Sequence, residues 1–111
     1  RDFCYIDNTV QMNILAATTE NSDAANQVYN TALNDRTSLT ELYAMIQDRL
    51  ITLKPELKSK EATYRDFRVG DVLHSQADIS KAQKLLGYKP THKINQGLDE
   101  SMEWYIADLV K

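Results

Sequence analysis

Glycine is scarce in this chain: Gly70, Gly87 and Gly97 are the only three in 111 residues. They are too few and too far apart for a dinucleotide-binding fingerprint or a phosphate-cradling P-loop. Cys4 is the single cysteine, so no internal disulfide can form, and a reducing, cytoplasmic setting is expected. His74 and His92 stand eighteen apart and, with one cysteine, give no recognisable metal-ligand spacing. None of the tyrosines at 5, 29, 43, 64, 88 and 105 has a lysine four residues later, which excludes a Tyr-x-x-x-Lys proton-transfer pair. No Ser-His-Asp order or nucleophile elbow stands out. No apolar run approaches a membrane span, and no signal-peptide pattern opens the chain. A net charge of −3 argues against a broad nucleic-acid or anionic-membrane surface.

What is present reads as a globular α/β chain. Hydrophobic residues make up 42% and charged residues 26%, which is outside the disordered range. The length suits one domain, or one piece of a larger one, with a small core. The opening on Arg1 rather than methionine leads us to expect a fragment or a degraded remnant.

Residues 3–6 read as a short strand, and Asp7 or Asn8 can cap a helix from Thr9 to Thr18 with Val10, Ile14 and Ala17 on its inner face. Residues 27–33 read as a second strand, and 62–67 as a short third. Ser38 and Glu41 form the capping-box pattern for a helix that Pro55 ends. Its stripe is Leu39, Leu42, Tyr43, Ile46, Leu50 and Leu53, expected to be core. Residues 54–71 form a long connection of mixed charge. Asp78 can cap a short helix through Leu86 that Gly87 stops. The last helix is expected from Ile94 to Val110, with Ile94, Leu98, Met102, Ile106 and Leu109 inward. Two or three short strands cannot make a self-sufficient sheet, so its other members are expected elsewhere.

The stretch from Phe67 to Asp78 holds the densest chemistry. Arg68 and Asp71 flank Gly70, so a guanidinium fork for phosphate oxygens stands beside a carboxylate for sugar hydroxyls. The plain alternatives are a surface ion pair of Arg68 with Asp66 or Glu61, and a turn aspartate bonding its own backbone. His74 reads as a neighbour rather than a catalyst, Cys4 as a small buried hydrophobe, and Trp104 with Tyr105 as core.

Two segments carry a resemblance. Arg1-Asp2-Phe3-Cys4-Tyr5-Ile6-Asp7-Asn8 resembles the Arg-Asp-aromatic motif of sugar-nucleotide epimerases, which are extended short-chain dehydrogenases/reductases. Arg68-Val69-Gly70-Asp71 resembles their Arg-x-Gly-Asp motif. Ala77-Asp78-Ile79-Ser80-Lys81-Ala82, Leu85-Leu86-Gly87-Tyr88-Lys89-Pro90 and a final Gly-Leu-x-x-x-Met-x-Trp-Tyr helix follow in the family's order. The pattern is closest to bacterial UDP-N-acetylglucosamine 4-epimerases that supply polysaccharide precursors.

The resemblance implies that residues 1–111 are the C-terminal substrate-binding portion of such an enzyme, lacking its N-terminal Rossmann domain. NAD and the catalytic tyrosine and lysine would then lie upstream, so this chain would hold no catalytic residue, no cofactor and no metal, and would be inactive alone. Arg1 and Arg68 would grip the substrate diphosphate, and Asp71 the uridine ribose. Ser75 would leave room for a 2-acetamido group that a larger side chain would exclude. No role transfers to Leu73. The implied partners are a UDP-sugar, the missing Rossmann domain and a second copy. Within the family the alternative is a UDP-glucose or UDP-glucuronate epimerase, or a dehydratase or decarboxylase. Outside it, a stand-alone interaction module or a generic anion site at Arg1 and Arg68 would also fit the residues.

Overall fold

A computed structural model describes residues 1–109, Leu109 by its backbone alone. Among them are four α-helices and one 3-10 turn: α1 (Ile6–Thr18), the turn Ser22–Ala24, α2 (Leu39–Leu53), α3 (Ser80–Leu86) and α4 (Ile94–Leu109). The expected helix end at Val110 lies outside the described residues, as does the side chain of Leu109.

The α/β expectation is not met among the described residues. Residues 3–6, 27–33 and 62–67 form no strand, and Ile6 already belongs to α1. A strand is completed by a neighbour that takes its backbone donors and acceptors. Among the described residues only one such contact occurs. Arg1 and Thr37 exchange both backbone hydrogen bonds at 2.9 Å, as opposed residues of an antiparallel pair do. The ladder goes no further, and Val28 is left 86% exposed.

Local chemistry sets the helices. Ser38 Oγ accepts the Glu41 amide (3.1 Å) and Glu41 Oε2 accepts the Ser38 amide (2.7 Å), which closes the capping box at the start of α2. Asp78 stands one residue outside the cap of α3, where its Oδ1 accepts the Ser80 amide at 2.8 Å. Hydrogen bonding from Ser80, its hydroxyl first and then its amide, holds the Asp78 carboxyl below its ordinary range. Gly87, at φ 69°, ends α3 in the left-handed conformation. There the Gly87 amide donates to the Gln83 carbonyl, the bond of the αL motif, and the Tyr88 amide reaches the Ala82 carbonyl.

The core gathers between α1, the 3-10 turn and α3. It comprises Met12, Ala24, Ala32, Ile79, Ala82, Leu86 and Tyr88, with Leu15, Tyr29, Ala77 and Leu85 half-buried around it. Tyr88 is wholly buried and donates its hydroxyl to the Ala32 carbonyl at 2.9 Å. A second unit is α2 on α4, joined by Arg49. Its guanidinium donates to Asp99 Oδ1 (2.6 Å), to the Met45 carbonyl (3.0 Å) and to the carbonyl and Oδ1 of Asn95 (3.2 Å each). The radius of gyration is 17.3 Å, well above the roughly 13 Å of a compact domain this size.

Several apolar faces are not where their periodicity puts them. The inner side of α1 is Asn8, Met12 and Leu15, whereas Val10, Ile14 and Ala17 face solvent. α2 contains no fully buried residue, and its Leu39 is 69% exposed. Trp104 and Tyr105 are exposed, edge to face at 5.1 Å between ring centroids, rather than core. Cys4 is half-buried, with Sγ 3.7 Å from Thr9 Oγ1. No helix among the described residues is long and apolar enough to cross a membrane.

Candidate functional site

The loop from Arg68 to Ala77 contains three of the four expected site residues. Asp71 donates its amide to the Arg68 carbonyl at 3.1 Å, closing a turn over Val69 and Gly70. Gly70 sits at φ 82°, the positive angle that the third residue of a type II turn requires and that other residues resist. The glycine thus folds Arg68 and Asp71 onto one turn.

Arg1 comes to the same turn from the other end of the chain. Its backbone is anchored on Thr37, itself buried. From there the guanidinium reaches seventy residues along the sequence, with one nitrogen on Asp71 Oδ1 and the other on the Val72 carbonyl. Both partners are about one-third exposed, at 34% and 37% of their side-chain surface. Asp71 therefore faces a guanidinium rather than its own backbone. Arg68 is exposed and makes no ion pair with Asp66 or Glu61 among the described residues. The structure thus joins Arg1 to Asp71 and places Arg68 at the head of their turn. Ser75 lies four residues past Asp71 and is exposed. His74 is also exposed.

Two shallow hollows lie between α2 and α4, one lined by Leu53, Lys54, Glu103, Ile106 and Ala107, the other by Asp48, Arg49, Thr52 and Asp99. Neither involves Arg1, Arg68, Asp71 or Ser75.

Asp2 was not among the expected site residues, yet it organises the region. Its Oδ1 accepts the Leu33 amide (3.0 Å), and its Oδ2 accepts the amides of Asp35 (3.3 Å) and Ala77 (3.1 Å). Gln76 Nε2 adds bonds to the carbonyl and Oδ1 of Asn34, at 2.9 and 3.1 Å. The signal available in the sequence was the Arg-Asp pair itself, with no hint that the carboxylate serves the backbone.

The residues present do not fit NAD. Gly70 and Gly87, the two glycines with positive φ, serve a loop turn and a helix stop. Gly97 lies inside α4, where an added Cβ would come within 2.8 Å of the Tyr5 side chain. None opens a helix from a strand, so no dinucleotide cradle is formed among the described residues.

Asp7, His92 and Glu100 bring a ligand atom each within 4.8 Å of one another, a grouping that histidine spacing did not disclose. Both imidazole nitrogens are already engaged, Nε2 with Glu100 Oε1 and Nδ1 with Thr91 Oγ1, each at 2.8 Å. Tyr5 packs on the ring at 4.8 Å and donates its hydroxyl to Glu100 Oε2 at 3.3 Å. The cluster ties the start of α1 to α4.

No family model matches the chain. Individual relatives do. UDP-glucuronate 4-epimerase 4 of Arabidopsis thaliana is 29% identical over 96% of this chain and 26% of its own length. An uncharacterized protein of Methanocaldococcus jannaschii is 34% identical over 97% of the chain and 30% of its own length. The dTDP-L-rhamnose 4-epimerase of Burkholderia thailandensis is 26% identical over 98% of the chain and 28% of its own length. The chain spans between a quarter and a third of the length of these curated relatives. Nearly all of it is thus similar, at low identity, to part of the sugar-nucleotide 4-epimerases.

Proposed function

We propose that this chain forms the substrate-binding part of an NAD-dependent 4-epimerase acting on a UDP-N-acetylhexosamine. The meeting of Arg1 with the Arg68–Asp71 turn supports the reading, because it brings one guanidinium from distant sequence onto a carboxylate, on a turn whose first residue is a second arginine. Arginine forks can pair with the oxygens of a diphosphate, and a carboxylate can accept from ribose hydroxyls. The relatives' names mention UDP- and dTDP-linked sugars, whose shared part is a pyrimidine nucleoside diphosphate.

In the proposed enzyme NAD and the groups that move protons and hydride belong to a Rossmann domain that this chain does not supply. The hydride chemistry would then lie outside residues 1–111. These residues would anchor the nucleotide and shape the sugar pocket, and the chain alone would not epimerise. A small exposed Ser75 favours an acetamido sugar on steric grounds. The glucuronate relatives support the second reading, a UDP-glucuronate 4-epimerase. The exposed apolar side of α1, with Ile6, Val10 and Ile14, is surface that a Rossmann domain or a second copy could cover. The lone Cys4 suits work in the cytoplasm.

Calorimetric titration with UDP, UDP-N-acetylglucosamine, UDP-glucuronate and inorganic pyrophosphate tests the assignment. UDP should bind more tightly than pyrophosphate, and the acetamido sugar more tightly than the glucuronate. Equal affinity for UDP and pyrophosphate would remove Asp71 as a ribose ligand. Tighter binding of the glucuronate would select the second reading, and silence with all four ligands would remove both.

A further inference from the structure

Residues 71–77 form a strap held at its two ends by two consecutive residues. Arg1 takes the Asp71 carboxylate and the Val72 carbonyl, and Asp2 takes the Ala77 amide. Between the two ends, Leu73, His74 and Ser75 are exposed. The two fastenings differ in kind. At the Ala77 end, the Asp2 carboxylate also holds the amides of Leu33 and Asp35, and Gln76 is bonded to Asn34. That end is built into the 33–35 loop by several bonds to backbone. At the Asp71 end, one partly exposed ion pair and one carbonyl share a single side chain. Exposed ion pairs are weak, and a diphosphate offers a guanidinium more charge in the same two-point geometry.

We propose that Arg1 and Asp2 are positioning residues for the strap that carries Ser75: Asp2 fixes its Ala77 end, and Arg1 holds its Asp71 end by a contact that a diphosphate anion displaces. The displacement rests on the nucleotide-sugar reading above. The two fastenings do not. When the anion takes Arg1, the Asp71 carboxylate is released to accept from the ribose, and the strap swings about its fixed end. Occupancy of the phosphate site thereby sets where Ser75 stands against the sugar.

The test follows backbone amide resonances of the full 111-residue chain during titration with inorganic pyrophosphate. The Leu73 amide, next to the Val72 carbonyl, should shift saturably, while the amides of Leu33, Asp35 and Ala77 stay protected from exchange. Asp71→Asn removes the competing carboxylate and should bind pyrophosphate roughly twofold to fivefold more tightly. Asp66→Asn makes the same charge change on an exposed residue of the preceding loop and should gain less. An equal gain in both variants would overturn the displacement, as would loss of Ala77 protection on binding. Without any ligand, Arg1→Ala should shift the Leu73 amide and leave Ala77 protected. If Leu73 does not move, or Ala77 is freed as well, the two-ended hold is overturned whatever the chain binds. If Arg1→Ala behaves as expected but neither pyrophosphate nor UDP shifts any resonance, the displacement falls together with the nucleotide-sugar reading, and the hold stands.

Discussion

Asn8 holds both backbone groups of His92. Its Nδ2 donates to the His92 carbonyl at 2.8 Å, and its Oδ1 accepts the His92 amide at 3.2 Å, across 84 positions of sequence. The same oxygen accepts the Thr91 amide at 2.8 Å, and the side chain is wholly buried. One amide side chain thus serves residues 91–92 as a neighbouring strand would.

Asn8→Ala should lower stability by about 2–4 kcal/mol, because it leaves two amides and a carbonyl without their buried partner. Denaturant unfolding checks the loss. Asn8→Asp should be no better, since it keeps the acceptor but places a second oxygen against the His92 carbonyl.

Gly97→Ala sets two effects against each other. Alanine in a helix interior gains about 1 kcal/mol over glycine. The new methyl would stand 2.8 Å from Tyr5 Cβ, Cγ and Cδ2, near the backbone end of that side chain, where little can move. Overpacking costs about 1–3 kcal/mol, so a net loss of stability is expected. Tyr5 should also leave the His92 ring, and ring-current shifts of the imidazole protons would report it. A more stable variant with those shifts unchanged would contradict the packing.

Acid should loosen the start of α2. The Glu41 carboxyl lies below its ordinary value of 4.5, chiefly because it accepts the Ser38 amide. A depressed carboxyl stabilises the fold above the unfolded value, and that contribution is lost as pH falls through the folded value. The Ser38 amide should therefore lose protection, relative to its intrinsic exchange rate at each pH, as pH drops below about 4.5. Glu41→Gln keeps an acceptor at the same place and should flatten this dependence.

Tyr88 should stay protonated in alkali for as long as the chain is folded. Burial, reinforced by Cys4, raises its hydroxyl well above the ordinary value of 10.0. A raised value gives stability that is complete below the unfolded value and lost as pH rises above it. Ultraviolet titration should show this phenolate only together with unfolding. Tyr88→Phe should remove that coupling and cost about 1–2 kcal/mol for the orphaned Ala32 carbonyl.

The features that were readable in advance are those written in consecutive residues. The Ser38–Glu41 box, the Gly87 stop and the helices around them need only local chemistry. Residues 3–6 and 27–33 have strand-like composition, yet composition cannot supply a ladder partner. Helical periodicity chose Val10, Ile14 and Ala17 as the inner side of α1. The buried side instead turns on Asn8, whose partners at 91–92 no local pattern announces. At the candidate site, Arg68 and Asp71 are expected from their chemistry and Arg1 from the family resemblance. That Arg1 lies on Asp71 follows from the Thr37 anchor, and that Asp2 secures Ala77 follows from bonds to backbone. Neither leaves a mark in residue types. Arg49, which joins α2 to α4, was missed for the same reason.

α2 buries no side chain completely, and it begins at Leu39, two positions after the buried Thr37 that fastens Arg1. Its turns should open in excursions far smaller than global melting. Fraying at that end would pass straight into the footing of the guanidinium. Any surface that settled over Leu39 and Tyr43 would therefore stiffen the far loop without touching it.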